Sequence, residues 1–236
     1  MEIISIKTRT LQPPEDDLLA ALIEAKPDIK TGDVVCISSK VVAIHEGRCA
    51  PAGEIDKKAL YETEADIVIP RPYWSSPLTV VHHTFLGGAG IDESNGDGHL
   101  VLLPADPFAS AERLHTFLCN HFNVAELGVI VTDSRSLPFR FGASGVALGW
   151  WGIAPLTNHI GTPDIFGRAF KYERSNLVDG LAAAATVVMG ETNECQPAAI
   201  IRNVPSLIFT DKNTKEDLFS PYEDDTFRVL YEQWLP

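Results

Sequence analysis

The chain has 236 residues, 45% of them hydrophobic and 22% charged, with a formal net charge of −13, which is the composition of a folded protein large enough for one sizeable domain or two small ones. The acidic balance disfavours a nucleic-acid partner, whose phosphates need clustered Lys and Arg, and no apolar run approaches the ~20 residues that cross a bilayer. An acidic chain that binds a nucleotide needs a divalent cation between its own carboxylates and the phosphates.

Met1 to Arg9 lack an apolar stretch followed by a small-residue cleavage site, so a cytoplasmic location is expected. Cys36, Cys49, Cys119 and Cys195 follow no Cys-x-x-Cys spacing and read as reduced thiols rather than a zinc site.

In chain order, residues 15–25 read as an amphipathic helix with acids in its first turn. Thr31-Gly32-Asp33 is a turn, and Val34–Ser38 a buried strand running into Ser39-Lys40. A helix is expected over 54–65, a short strand over 66–69 and another over 78–86. Gly87 to Gly90 open a loop that stays polar to Gly98, before a strand over 99–103. Asp106-Pro107 is a helix start, an N-cap acid before proline at the first helical position, and that helix should reach about Asn120. Leu127–Val131 reads as a strand ending in Thr132-Asp133-Ser134, and 144–151 as a further strand. An alanine-rich helix is expected over 175–189, with Ser175 as N-cap and Gly190 just past its end. Short strands over 198–201 and 207–209 and a last helix over 224–234 complete the reading. Strands and helices do not alternate steadily, so the expected class is α+β with mixed sheets and flanking helices, not a doubly wound sheet.

Three polar clusters fall where elements end. The glycine-rich approach to Gly90-Ile91-Asp92-Glu93-Ser94-Asn95 lets the backbone come close to a ligand, with Asp92 and Asn95 available for a cation and a phosphate. The acid spacing does not match an EF-hand. Asp133 and Ser134 stand beside a buried strand, where a carboxylate is costly unless paired or metal-bound. Glu191 and Asn193 lie beyond a helix stop. Each cluster alone also fits a polar turn or a solvated helix end. Arg135, Arg140 and Arg168 lie near these clusters and can clamp phosphates or a carboxylate. There is no Walker-type loop, no Gly-x-Gly-x-x-Gly after a strand and no Gly-x-Ser-x-Gly elbow. His82-His83 are adjacent on an expected strand and would point to opposite faces, which argues against a two-histidine metal site.

Taken together, the segments resemble the coenzyme F420-0:L-glutamate ligase family, and most closely its branch assigned to folate metabolism as a γ-glutamate ligase. The resemblance rests on Gly32 to Val35, Ser38 to Val42, Glu46-Gly47-Arg48, Gly90 to Asn95, Leu103-Pro104 with Asp106-Pro107, Gly128 to Ser134, Pro163 to Arg168, and Asp179 to Glu191, in that order over about residues 15–210. It implies one catalytic unit spanning 1–236, built either as one body or as two subdomains whose boundary the sequence does not mark, an unusual α+β fold, and an intertwined homodimer with the nucleotide near the interface. It further implies an enzyme that uses GTP or ATP, with Mg2+ or Mn2+, to join L-glutamate through its amine to an acceptor carboxylate. Asp92 and Asp133 match the family's metal-binding acids. Ser134 stands where a metal-binding threonine is usual, and Glu191 matches a second-metal acid. Ser38, Ser39, Asn95 and Asn193 fall at nucleotide-contacting positions. Phosphoryl transfer to the acceptor would give an acyl phosphate that the glutamate amine attacks, and Lys40 and Arg140 are candidates to hold the moving phosphoryl group.

Several positions depart from the family pattern. Ala43-Ile44 stand where a second lysine is usual, Asp133 to Arg140 read Asp-Ser-Arg-Ser-Leu-Pro-Phe-Arg, Gly145 replaces an acid, and Trp150-Trp151 replace small residues. The acceptor is therefore either F420-0 or another molecule such as a pterin, with Phe139, Trp150 or Trp151 either stacking on a planar ring or packing in the core. The competing readings are a metal-dependent phosphohydrolase, with water as acceptor, and a nucleotide-binding protein without catalysis.

Overall fold

The computed structural model describes residues 1–53 and 55–235. Its elements are β1 (Glu2–Ile6), α1 (Leu18–Glu24), β2 (Asp33–Ser38), α2 (Ser39–His45), β3 (Cys49–Pro51), α3 (Lys57–Glu64), β4 (Ile67–Ile69), β5 (Leu78–Val81), β6 (Thr84–Gly87), β7 (His99–Val101), α4 (Pro107–Phe122), β8 (Leu127–Ser136), β9 (Ala143–Trp151), β10 (Leu156–Asn158), β11 (Arg174–Asn176), α5 (Leu177–Met189), β12 (Ala198–Arg202) and α6 (Lys215–Leu218). The class is α+β, as expected.

A five-stranded mixed sheet, in the order β1-β12-β2-β8-β9, organises the molecule. Only β2 and β8 run parallel; the other neighbours are antiparallel. Period-two alternation divides the side chains of β2 between two buried faces. Val35 and Ile37 meet Leu18, Leu22, Val42, Leu114 and Leu118 of α1, α2 and α4. Val34 and Cys36 meet Val178, Leu181, Ala182 and Ala185 of α5 on the other face. Burial pushes the Cys36 thiol up to about 12, which makes it an inert core group. At the start of β2, the central strand, Asp33 is buried and accepts from Arg202 Nε and Nη2, both at 2.8 Å, which ties β2 to β12. Two small sheets, β3-β7 and β4-β5-β6, lie alongside, and β10 and β11 form a separate hairpin.

Several boundaries differ from those expected, each for a local reason. Asp17 is the N-cap of α1, so the acids before it stay outside the helix. His82 and His83 both take positive φ and form the two-residue turn of the β5–β6 hairpin, so 78–86 is two strands rather than one. Helix α4 runs past Asn120 to a left-handed Asn123. Asn176, not Ser175, caps α5 by accepting from the Asp179 amide. Residues 207–209 form only an isolated bridge, Phe209 with Ile153. The expected helix over 224–234 is instead two short 3-10 turns, Arg228–Leu230 and Glu232–Trp234, around a buried Tyr231. Glu54, which the 54–65 reading included, lies outside the described residues. Among the described residues no helix is long and apolar enough to cross a membrane.

Candidate active site

A cleft of about 430 Å³ opens at one end of the central sheet. It collects residues from β1's exit, the β2–α2 junction, the 91–98 loop, β8 and the turn after α5. Ser38, Lys40, Asp92, Asn95, Asp133, Ser134, Glu191 and Asn193, all singled out in the sequence, line it. Ser39 is buried just behind, its hydroxyl against Asp133.

Strand β8 extends past its apolar run, so Thr132, Asp133 and Ser134 lie within the strand and not in a turn after it. A bulge between Val131 and Thr132 shifts the pairing to β9 at this point and re-aims the side chains that follow. Parallel pairing sets Ser38 beside Thr132, so the end of β2 and the acid of β8 arrive together. The 91–98 loop is anchored by a two-way backbone bridge between Asp92 and Val101, at 2.9 and 2.8 Å. Gly90 makes the approach possible: its φ is +69°, and a Cβ there would sit 2.9 Å from Leu103. Asn95 Nδ2 donates to the Thr192 carbonyl at 2.9 Å, and the Ser134 hydroxyl donates to Glu191 Oε2 at 3.1 Å. These two bonds tie three separate chain segments around one opening.

The two acids near the cleft floor differ in environment. Burial pushes the Asp133 carboxyl up to about 6, against the opposing Ser134 amide, the Ser39 hydroxyl and Lys40, and nearby Asp92 adds to the rise. Burial also raises Asp92, but Lys40 and the Ser94 amide and hydroxyl outweigh it, so its carboxyl lies below the ordinary value. Lys40 Nζ contacts Asp92 Oδ2 at 2.6 Å, the Ser94 carbonyl at 2.9 Å and Ser94 Oγ at 3.2 Å.

This donor set fits a hard divalent cation. All of its groups are oxygens, and the Asp133 carboxylate, whose charge burial disfavours, makes no ion pair among the described residues. Among the described residues no three His, Cys, Asp or Glu side chains are gathered into a ready-made cage. Mg2+ is commonly held that way, by one or two carboxylates together with substrate phosphates.

Arg140 is not brought to this cleft. It sits at the exposed tip of the β8–β9 hairpin, between Phe139 and Phe141, which are fully exposed. Trp150 is core: it packs edge-on against Phe108, and its indole donates to Thr214 Oγ1 at 2.9 Å, so it cannot stack on a ligand. Arg9 was missed in the sequence although it lines the cleft. Asp16 holds it through two bonds, Nη1 to Oδ2 at 2.7 Å and Nη2 to Oδ1 at 2.8 Å. An arginine between two threonines just after a strand carries no motif, and its Asp16 partner is seven residues away.

A family model described as F420-0:Gamma-glutamyl ligase matches residues 5–203. Curated relatives agree. The chain is 35% identical to the coenzyme F420:L-glutamate ligase of Natronomonas pharaonis, over 93% of this chain and 92% of that one. It is 32% identical to the protein of the same name from Haloarcula marismortui, over 99% and 98%, and 34% identical to that of Methanothermobacter thermautotrophicus, over 97% and 99%.

Proposed function

The chain belongs to the F420-0:gamma-glutamyl ligase family, and from that premise we propose that it is an amide ligase that joins the amine of L-glutamate to the carboxylate of a small acceptor, F420-0-like or folate-like. GTP or ATP activates the acceptor as an acyl phosphate. The observation that carries this reading is the convergence of Asp92, Asp133, Ser134 and Glu191 with Lys40 on one cleft.

In this reading Asp92, Asp133, Ser134 and Glu191 would hold Mg2+ or Mn2+. The ion, when bound, neutralises phosphate charge and polarises the phosphoryl group under attack. Ser38, Asn95 and Asn193 orient the nucleotide, while Ser39, expected to contact it, is buried behind the cleft and braces Asp133 instead; Lys40 supplies the compact positive charge for the transferring phosphoryl oxygens. The acceptor's carboxylate oxygen attacks that phosphorus, releasing the nucleoside diphosphate. The glutamate amine then attacks the acyl carbon, and phosphate leaves. No protein nucleophile takes part.

The cleft draws on residues from Thr8 to Pro197, which supports one catalytic unit. A cytoplasmic location and a homodimer are part of the proposal. Residues 137–142 and the 159–173 loop between β10 and β11 expose Phe139, Phe141, Ile165, Phe166 and Tyr172, large apolar side chains that a second copy could cover. They also carry Arg140, Arg168 and Lys171 on a chain of net charge −13, so a second copy offers complementary charge.

The test is to incubate the protein with Mg2+ or Mn2+, GTP or ATP, labelled L-glutamate and acceptors including F420-0 and folates, and to follow the label by mass spectrometry. A nucleotide-dependent glutamylated product is expected and identifies the acceptor. Nucleotide hydrolysis indifferent to glutamate, even with cell extract as acceptor source, would replace the ligase by a phosphohydrolase.

A further inference from the structure

We propose that Lys40 and a divalent cation compete for the same oxygen of Asp92, so that Lys40 is displaced when the cation binds and its ammonium becomes free for the nucleotide; this rests on the metal reading of the cleft given above. The ammonium contacts Asp92 Oδ2 at 2.6 Å and is held there by both the carbonyl and the hydroxyl of Ser94. Among the described residues the carboxylate is otherwise engaged by Ser94 alone, whose amide donates to Oδ1 and whose hydroxyl donates to Oδ2, both at 2.8 Å. Oδ2 thus already has two close contacts, which take up its two lone-pair directions, so an ion that bonds to it in the carboxylate plane must displace one of them.

A cation that near would also repel a divalent ion directly. A neighbouring opposite charge favours the ionised form of a carboxylate by about one to three pKa units, a bias of tenfold or more that an incoming ion must match. Lysine suits such an exchange. Its charge is a point on a flexible four-carbon stem, so it can leave one oxygen and reach another without its backbone moving. Its Cα is fixed by α2, which starts at Ser39, and its side chain is 26% exposed, leaving a path into the cleft. The site therefore does not lose its positive charge when the cation arrives. One cation takes over Asp92, and the other is released to the phosphates.

The test needs no turnover. Wild type and Lys40→Met are titrated with Mn2+ alone by calorimetry, without nucleotide. Lys40→Met is expected to bind Mn2+ about tenfold more tightly or better, and Lys40→Arg to stay near wild type. In parallel, wild type is briefly acetylated with an amine-reactive ester and its peptides analysed by mass spectrometry. Saturating Mn2+ is expected to raise acetylation of Lys40 several-fold relative to the exposed Lys212. The labelling arm uses wild type only, so it stands even if a Lys40 variant folds poorly. Unchanged Lys40 labelling overturns the exchange, including when Lys40→Met binds Mn2+ more tightly, because simple repulsion would do that. Equal Mn2+ affinity in folded wild type and Lys40→Met overturns it as well. Absence of Mn2+ binding in both chains overturns the exchange, which is a competition for Asp92 with the bare ion; the metal reading fails separately, if Mn2+ does not strengthen nucleotide binding to wild type.

Discussion

Asn95 donates from Nδ2 to the Thr192 carbonyl at 2.9 Å, pinning the loop that carries Asp92 to the turn that carries Glu191. Asn95 also sits at φ +55°, a left-handed conformation that Asn tolerates better than most side chains. Two substitutions separate these roles. Asn95→Ala loses the bond and strains the backbone, whereas Asn95→Gly loses only the bond. Both are expected to weaken metal-dependent nucleotide binding by about tenfold, with Tm nearly unchanged in Asn95→Gly because the site is exposed. Calorimetry and thermal melts report on the two properties. Full affinity in Asn95→Gly would show that the link between the loops is dispensable.

The raised carboxyl of Asp133 gives a pH signature. Its folded value, about 6, exceeds the unfolded value of about 3.9. The folded state therefore holds the proton more tightly than the unfolded chain. Without divalent ions, stability from this group is full below about pH 4, falls as pH rises through about 6, and then stays level. Asp133→Asn removes that slope. It is expected to be more stable than wild type by about 1–2 kcal/mol at pH 7.5 in chelator, and to have lost metal-dependent nucleotide binding. Urea denaturation from pH 4 to 8 measures the first effect. A variant less stable than wild type at pH 7.5 would refute the desolvation argument, and retained nucleotide affinity would refute the metal assignment.

Gly145 explains one departure from the family pattern. A Cβ at this position would collide with the Ala182 carbonyl and the Thr186 hydroxyl of α5. Helix α5 thus rests directly on the backbone of β9. Restoring an acid, Gly145→Asp, forces that helix away and buries a charge against a carbonyl, at a cost of at least about 2 kcal/mol. Gly145→Ala should already destabilise measurably. A denaturant midpoint in Gly145→Asp equal to wild type would show that α5 shifts at no cost.

How much of this was legible depended on the physical signal each residue carries. Asp106-Pro107 marked the start of α4 because capping is a local interaction. The β-branched runs of β2 and β8 showed as strands because both faces are buried. Helix α2 was not expected: Lys40-Val41-Val42-Ala43-Ile44 continues the apolar strand pattern, and only packing on the sheet makes it a helix. The β5–β6 turn was hidden because histidines at positive φ replace the usual Asn-Gly. In the site, Asp92, Asp133 and Glu191 stood out as polar groups at element ends, but no local rule brings residues 92, 133 and 191 together. Their convergence depends on the β2–β8 pairing and on long-range bonds such as Asn95 to Thr192. Arg9 had no signal at all, since its role is set by Asp16 and by a cleft wall made elsewhere.

Arg140 supplies the sharpest test of the proposed dimer. It lies outside its own chain's cleft, on a hairpin tip whose neighbours Phe139 and Phe141 are bare. A role on the phosphoryl group would then have to be exercised in the cleft of a second copy. Asp133→Ala and Arg140→Ala should each be inactive as homodimers. When they are mixed and allowed to exchange subunits, half of the dimers are mixed, and each mixed dimer has one cleft with both an intact Asp133 and an intact Arg140 from the other copy. Activity should return to roughly a quarter of wild type. Phe139→Ser/Phe141→Ser should shift the protein toward monomer in light scattering and prevent that recovery. If Arg140→Ala alone keeps full activity, the arginine has no part in the reaction. If the mixture stays dead while subunits exchange, Arg140 does not act across the interface.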